Sequence, residues 1–119
     1  MLVVLILGNN IINLKKYGNS YISCLGEIKS SENLKNQSIK CMSISPKFIS
    51  IKRSESGAAK VISKEFFGEF LIYKVTINGN ILRVRTDINN LLYNGDKCSL
   101  SINKNSYYFL YPGAHKVYI

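Results

Sequence analysis

The residues of this chain able to act as acid, base or nucleophile are few and far apart. His115 is the only imidazole in 119 residues, and it lies between Ala114 and Lys116 close to the C-terminus. Nucleophilic catalysis needs a hydroxyl or thiol beside a positioned base, so any triad would have to converge on His115, which makes it a poor candidate. Glu65 and Glu69 flank Phe66-Phe67-Gly68 and could form an acid–base pair, but beside a corner of the fold they are expected to face solvent. A nucleotide hydrolase needs a glycine-rich loop ending in Gly-Lys-Ser/Thr, whose amides and lysine neutralise the phosphates, and the sequence contains none. Cys24, Cys41 and Cys98 are odd in number and lack the close spacing that closes a tetrahedral metal site. They read as small apolar side chains within strands, three buried and reduced thiols. The expectation is a protein with no catalytic residue, no metal and no cofactor, and so not an enzyme.

The formal net charge of +9 comes from 16 Lys and Arg against 7 Asp and Glu. Clustered cations would point to a phosphate-rich partner, because neutralising phosphates releases counterions. Here the lysines come one or two at a time, as in Lys15-Lys16, Lys40, Lys52, Lys60 and Lys74, so a solvated surface is expected and nucleic acid is the lesser reading. What speaks for a single-stranded nucleic acid is the run Tyr107-Tyr108-Phe109 with Tyr111, together with Arg83 and Arg85 alternating along one strand. The opening MLVVLIL is apolar but only seven residues long before Gly8-Asn9-Asn10. That is far short of the roughly 20 residues that span a bilayer, and it lacks the form of a secretory signal. An edge strand or docked turn and a cytoplasmic location are expected, with membrane contact only through a partner.

The elements that would position these residues are short strands. In the first half, Tyr21 to Leu25 and Ile39 to Ile44 are apolar pieces on either side of a polar loop from Glu27 to Gln37. Pro46 can open a single helical turn, where its missing N–H costs nothing, leading into a strand; Ser54 to Ala58 is a second loop. From Lys60 the alternation becomes regular, and Gly68 interrupts it in the manner of a bulge or sharp bend. The strand then resumes at Leu71 and reaches Asn78-Gly79, the strongest short-range signal for a two-residue hairpin. Tyr73, Val75, Leu82 and Val84 are the expected core of that hairpin. Asp87 to Tyr93 reads as an irregular turn that drops Leu91 and Leu92 into a barrel mouth, followed by a tight turn at Asn94-Gly95-Asp96. Lys97 to Ile102 and Tyr107 to Leu110 complete an all-β fold, a small Greek-key barrel or sandwich with short helical turns.

The order Ile44-Ser45-Pro46-Lys47-Phe48-Ile49, then Val61-Ile62-Ser63-Lys64-Glu65-Phe66-Phe67-Gly68, a hairpin at Gly79, Asn94-Gly95-Asp96 and Phe109-Leu110-Tyr111-Pro112 resembles the TOBE domain. That domain is the C-terminal accessory region, with an oligonucleotide-binding fold (OB-fold), of ATPase subunits in ABC importers. The resemblance covers Ile44 to about Pro112 and, more loosely, the segment from Leu7-Gly8-Asn9-Asn10 onward. Ser45 and Lys47 stand where the family carries an arginine and an acidic residue, Ile11 holds the place of its asparagine, and the Ser-Ala-Arg-Asn signature of molybdate-binding relatives is absent.

The resemblance implies an OB-fold-like barrel over 44–119, completed by strands and a loop from 1–43, in one compact domain. It also implies a regulatory or scaffolding role beside an ABC transporter ATPase, in an importer of the iron or polyamine type, with homodimerisation possible. The catalytic half would lie outside this chain. Pro46, Glu65, Gly68, Gly79, Gly95, Asp96 and Pro112 are then structural motif positions rather than ligands. A small-anion site is the remaining alternative.

Overall fold

A computed structural model describes residues 8–28 and 38–119. The opening MLVVLIL and most of the loop expected over Glu27 to Gln37 lie outside the described residues. The chain divides into two units, one made of Met1–Ser45 with Lys104–Ile119, the other of Pro46–Asn103. The sequence suggested a barrel core over 44–119 completed by strands from 1–43, together one compact domain. The last two strands pair with each other and with the residues before Ser45: Phe109, Leu110 and Tyr111 take up register with Ser43, Met42 and Cys41.

Among its described residues the first unit contains two antiparallel sheets. One has the order β1 (Asn10–Asn13), β5 (Cys41–Ile44), β11 (Tyr107–Tyr111), β12 (His115–Tyr118). Period-two alternation decides its faces. Ile12, Met42 and Leu110 line up across three strands, with Ile44, Tyr108 and Val117 on the same side, and all are buried. Each such side chain contributes about 1.5–3 kcal/mol through loss of apolar surface to water. Ladder bonds from Leu14 N to the Lys40 carbonyl (2.9 Å) and from Lys40 N to the Tyr111 carbonyl (2.8 Å) extend the pairing past the strand ends. The smaller sheet joins β2 (Lys15–Tyr17), β3 (Ser20–Ser23) and β4 (Gly26–Ile28) as a meander.

The second unit opens with a 3-10 turn at Pro46–Phe48, as the proline suggested, and continues into β6 (Ile49–Arg53). β7 (Ala59–Phe66), β8 (Phe70–Ile77), β9 (Asn80–Asp87) and β10 (Lys97–Ile102) follow, in the sheet order β6-β10-β7-β8-β9. β10 thus returns to lie between β6 and β7, antiparallel to both. Asn78 and Gly79 both have positive φ, 48° and 80°, as the expected two-residue hairpin requires. Tyr73, Val75, Leu82 and Val84 are all buried, as the alternation predicted.

The fold is all-β, and among the described residues no closed barrel forms. The two edge strands β6 and β9 come close without pairing. Asn90 sits at this seam: its Nδ2 donates to the Ile51 carbonyl (3.1 Å) and to Thr86 Oγ1 (3.0 Å). A side-chain amide therefore occupies a carbonyl that a closing strand pair would have used.

Three local expectations change. Gly68 does not bend a continuing strand. Phe67 N donates to the Phe70 carbonyl (3.0 Å), so Gly68-Glu69 is the two-residue loop of the β7–β8 hairpin. With φ of 88°, Gly68 holds the first central position, the place a type II′ turn reserves for glycine. The register irregularity lies earlier in β7, between Val61 and Ser63. Of the two leucines expected in a barrel mouth, Leu92 is buried but Leu91 is 57% exposed. Of the three cysteines only Cys98 is buried; Cys41 is half-buried on β5, and Cys24 is half-buried in the turn between β3 and β4.

Candidate functional site

The residues with potential for acid, base or thiol chemistry stay apart. Glu65 on β7 and Glu69 in the adjoining turn are both exposed. His115 is half-buried at the start of β12, in register with Leu110. All three cysteines are free thiols, and burial pushes each one's pKa upward. For Cys98 the nearby Asp96 carboxylate adds to that shift, and for Cys24 a backbone hydrogen bond opposes it. A raised thiol pKa disfavours the thiolate, which is the nucleophilic and metal-binding form. Among the described residues no group of three His, Cys, Asp or Glu could hold a metal ion.

Pro46, Gly68, Gly79, Gly95 and Asp96 lie at turns of the second unit, Glu65 lies within a strand of it, and Pro112 is in the first unit. Pro46 opens the 3-10 turn, and Glu65 lies on β7 opposite Ile72. Gly68 and Gly79 form successive hairpin turns at opposite ends of β8. Gly95 and Asp96 build the best-tied turn. Asp96 N donates to the Tyr93 carbonyl (2.9 Å), while Asp96 Oδ2 accepts from Tyr93 N (2.8 Å). The same turn docks on β7 through Gly95 N to the Val61 carbonyl (2.8 Å) and Val61 N to the Asp96 carbonyl (2.9 Å), just where the β7 register shifts. Pro112 follows a cis peptide bond in the turn between β11 and β12.

Of the aromatic run, Tyr108 is buried on one face of the sheet; Tyr111, also buried, alternates onto the other face with Tyr107 and Phe109, which are half-exposed. There the register sets Phe109 opposite Lys116 and Tyr107 opposite Tyr118. Lys116 Nζ lies 4.3 Å from the Tyr107 ring centre, 4.9 Å from Tyr118 and 6.0 Å from Phe109. A hydrogen bond with Tyr118 raises the Lys116 pKa above the ordinary lysine value. This cation–π cluster gathers residues from the β11–β12 hairpin, whose second strand the sequence reading did not include although the short Pro-Gly connection signals it.

Sequence reasoning also missed the wiring of the 87–96 segment. Tyr73 Oη donates to the Asn90 carbonyl (2.8 Å) and accepts from Leu92 N (2.7 Å), so a buried phenol pins the loop that carries Asn90. Asp87 Oδ1 accepts from Asn89 N (2.8 Å) and starts that loop. The only sequence signal was a tyrosine on the inner face of a strand, since a buried Tyr hydroxyl needs a partner. No helix among the described residues is long and apolar enough to cross a membrane. No protein-family model and no curated protein matches the chain.

Proposed function

We propose that this chain is a non-catalytic accessory module that acts beside the ATPase of an ABC importer, as a regulatory or scaffolding element resembling the TOBE domain. The observation that carries the reading is the coincidence of resemblance with turn chemistry in Pro46–Asn103. Pro46 starts the 3-10 turn, Gly68 and Gly79 turn two consecutive hairpins, and Gly95-Asp96 ties the return to β10 onto β7. Five of the seven matched positions thus sit at turns around one sheet, as expected of a fold-determining motif; Glu65 lies within a strand and Pro112 in the other unit. Free thiols with raised pKa and dispersed carboxylates fit a role in coupling rather than chemistry.

The test uses an importer ATPase subunit truncated before its own accessory region, mixed with this chain. Co-elution in size-exclusion chromatography and a change of at least twofold in ATP turnover are expected. ATP binding at micromolar affinity by this chain alone, ATP hydrolysis by it alone, or no association with any iron- or polyamine-type ATPase tested overturns the reading.

A further inference from the structure

Lysines that are scattered along the sequence are gathered by the register of the five-stranded sheet. On its outward face Lys97 of β10 stands directly opposite Lys60 of β7, and Lys74 of β8 stands directly opposite Arg83 of β9. Lys60 and Lys74 are diagonal neighbours, because Lys60 pairs with Thr76 two residues along β8. Directly opposed side chains have Cβ atoms about 5 Å apart and diagonal ones about 7–8 Å, so these four cations form one continuous row across four strands. All four are exposed. Lys52 on β6, opposite Ser99, extends the same face. Of the carboxylates on this face, Glu65 pairs with Ile72 and is itself a diagonal neighbour of Lys74, while Asp87 stands opposite Phe70 at the end of the sheet where β8 begins.

Like charges directly opposite destabilise a sheet. Two such pairs linked by a diagonal hold a positive field that a polyanion would relieve. Four residues along β8 from Lys74, at the end of the sheet where Phe70 stands opposite Asp87, lies a stack of flat groups. Phe67 and Phe70 are stacked at 5.2 Å with an interplanar angle of 14°, and the Arg85 guanidinium carbon lies 3.8 Å from the Phe70 ring centre. Phe67 is 46% exposed. A ring stack that ends on an exposed phenylalanine can be prolonged by an unpaired base, whereas a paired base in a duplex or a lipid headgroup has no such use for it.

We infer that this face binds single-stranded nucleic acid, with consecutive phosphates on the row Lys97, Lys60, Lys74 and Arg83 and one base stacked on Phe67. The inference lies wholly within Pro46–Asn103 and does not depend on the proposed role beside an ATPase.

The test is fluorescence anisotropy of the full chain with a labelled single-stranded oligothymidylate across a salt series. Four phosphate contacts predict a slope of log K against log salt of about −3, at about −0.7 per contact on a single strand. Lys60→Gln combined with Lys74→Gln halves that slope to about −1.4 and weakens binding at least tenfold at the lowest salt. By removing opposed like charges it also raises the urea midpoint. Lys40→Gln with Lys104→Gln removes the same charge outside this sheet and leaves slope and affinity unchanged. Phe67→Ala weakens binding at least fivefold with the slope retained, the signature of a lost stack rather than a lost phosphate contact. No binding at the lowest salt, equal losses in the two lysine double variants, an unaffected Phe67→Ala, or binding to phosphatidylserine vesicles without binding to the oligonucleotide overturns it.

Discussion

Tyr73 joins the core of the second unit to the loop that follows β9. Its ring fills the inner face of the sheet, while its hydroxyl donates to the Asn90 carbonyl and accepts from Leu92 N. Removing that oxygen leaves a buried backbone N–H and a carbonyl short of their partner, and the penalty is desolvation of the orphaned groups rather than the net worth of a bond. Tyr73→Phe is expected to destabilise the protein by about 1–3 kcal/mol, read as a lower urea midpoint with an unchanged denaturant slope. Loosening of the loop would also reach Asn90, whose amide bridges β6 and β9. Which residues are buried along β8 and β9 was legible in the sequence, because alternation over eight-residue strands with one solvated face leaves little freedom. Which buried residue anchors a loop was not, since the partners of Tyr73 lie 17 and 19 positions away in a segment without periodicity.

Among the elements, the β7–β8 hairpin departs most from its sequence reading. A glycine that interrupts alternation is compatible with a bulge or with a two-residue turn, and only the register of the following strand distinguishes them. Here Phe66 pairs with Leu71, so the chain reverses at Gly68-Glu69. A side chain at Gly68 would find open space but a φ of 88° that a β-branched residue rarely adopts. Gly68→Val is therefore expected to destabilise by about 1–3 kcal/mol through backbone strain alone. Gly68→Asn, which tolerates positive φ better, should recover much of that loss in the same denaturation experiment. A midpoint unchanged by Gly68→Val would contradict the turn assignment. The basic row was illegible for a related reason: Lys60, Lys74, Arg83 and Lys97 become neighbours only once three strand pairings are known.

At the scale of the whole molecule, the division into two units separates one continuous stretch of chain from a unit built of the residues on either side of it. Pro46–Asn103 is continuous in sequence, and its two ends are tied together. Asn103 N donates to the Phe48 carbonyl (2.8 Å), its Nδ2 donates to the Lys47 carbonyl (3.2 Å), and its Oδ1 accepts from Ser50 Oγ. A segment comprising 46–103 is expected to fold on its own, with a β-type circular dichroism spectrum and a single cooperative unfolding transition; a featureless spectrum would refute its autonomy. The other unit has no such continuity. Its larger sheet is assembled from residues on both sides of the insertion, and the apolar piece Ile39 to Ile44 gave no hint that its second partner strand begins at Tyr107.

The Asn103 clasp has a consequence for the order of folding. The pairings within Pro46–Asn103 join residues closer in sequence than β5 and β11 are, so that unit can close before β11 pairs with β5. Until β11 pairs, β5 has β1 on one edge and an open ladder on the other. An open ladder on a partly folded chain is a site for wrong pairing. By drawing Lys47 and Asn103 together, the clasp shortens the loop that the pairing of β11 with β5 has to close.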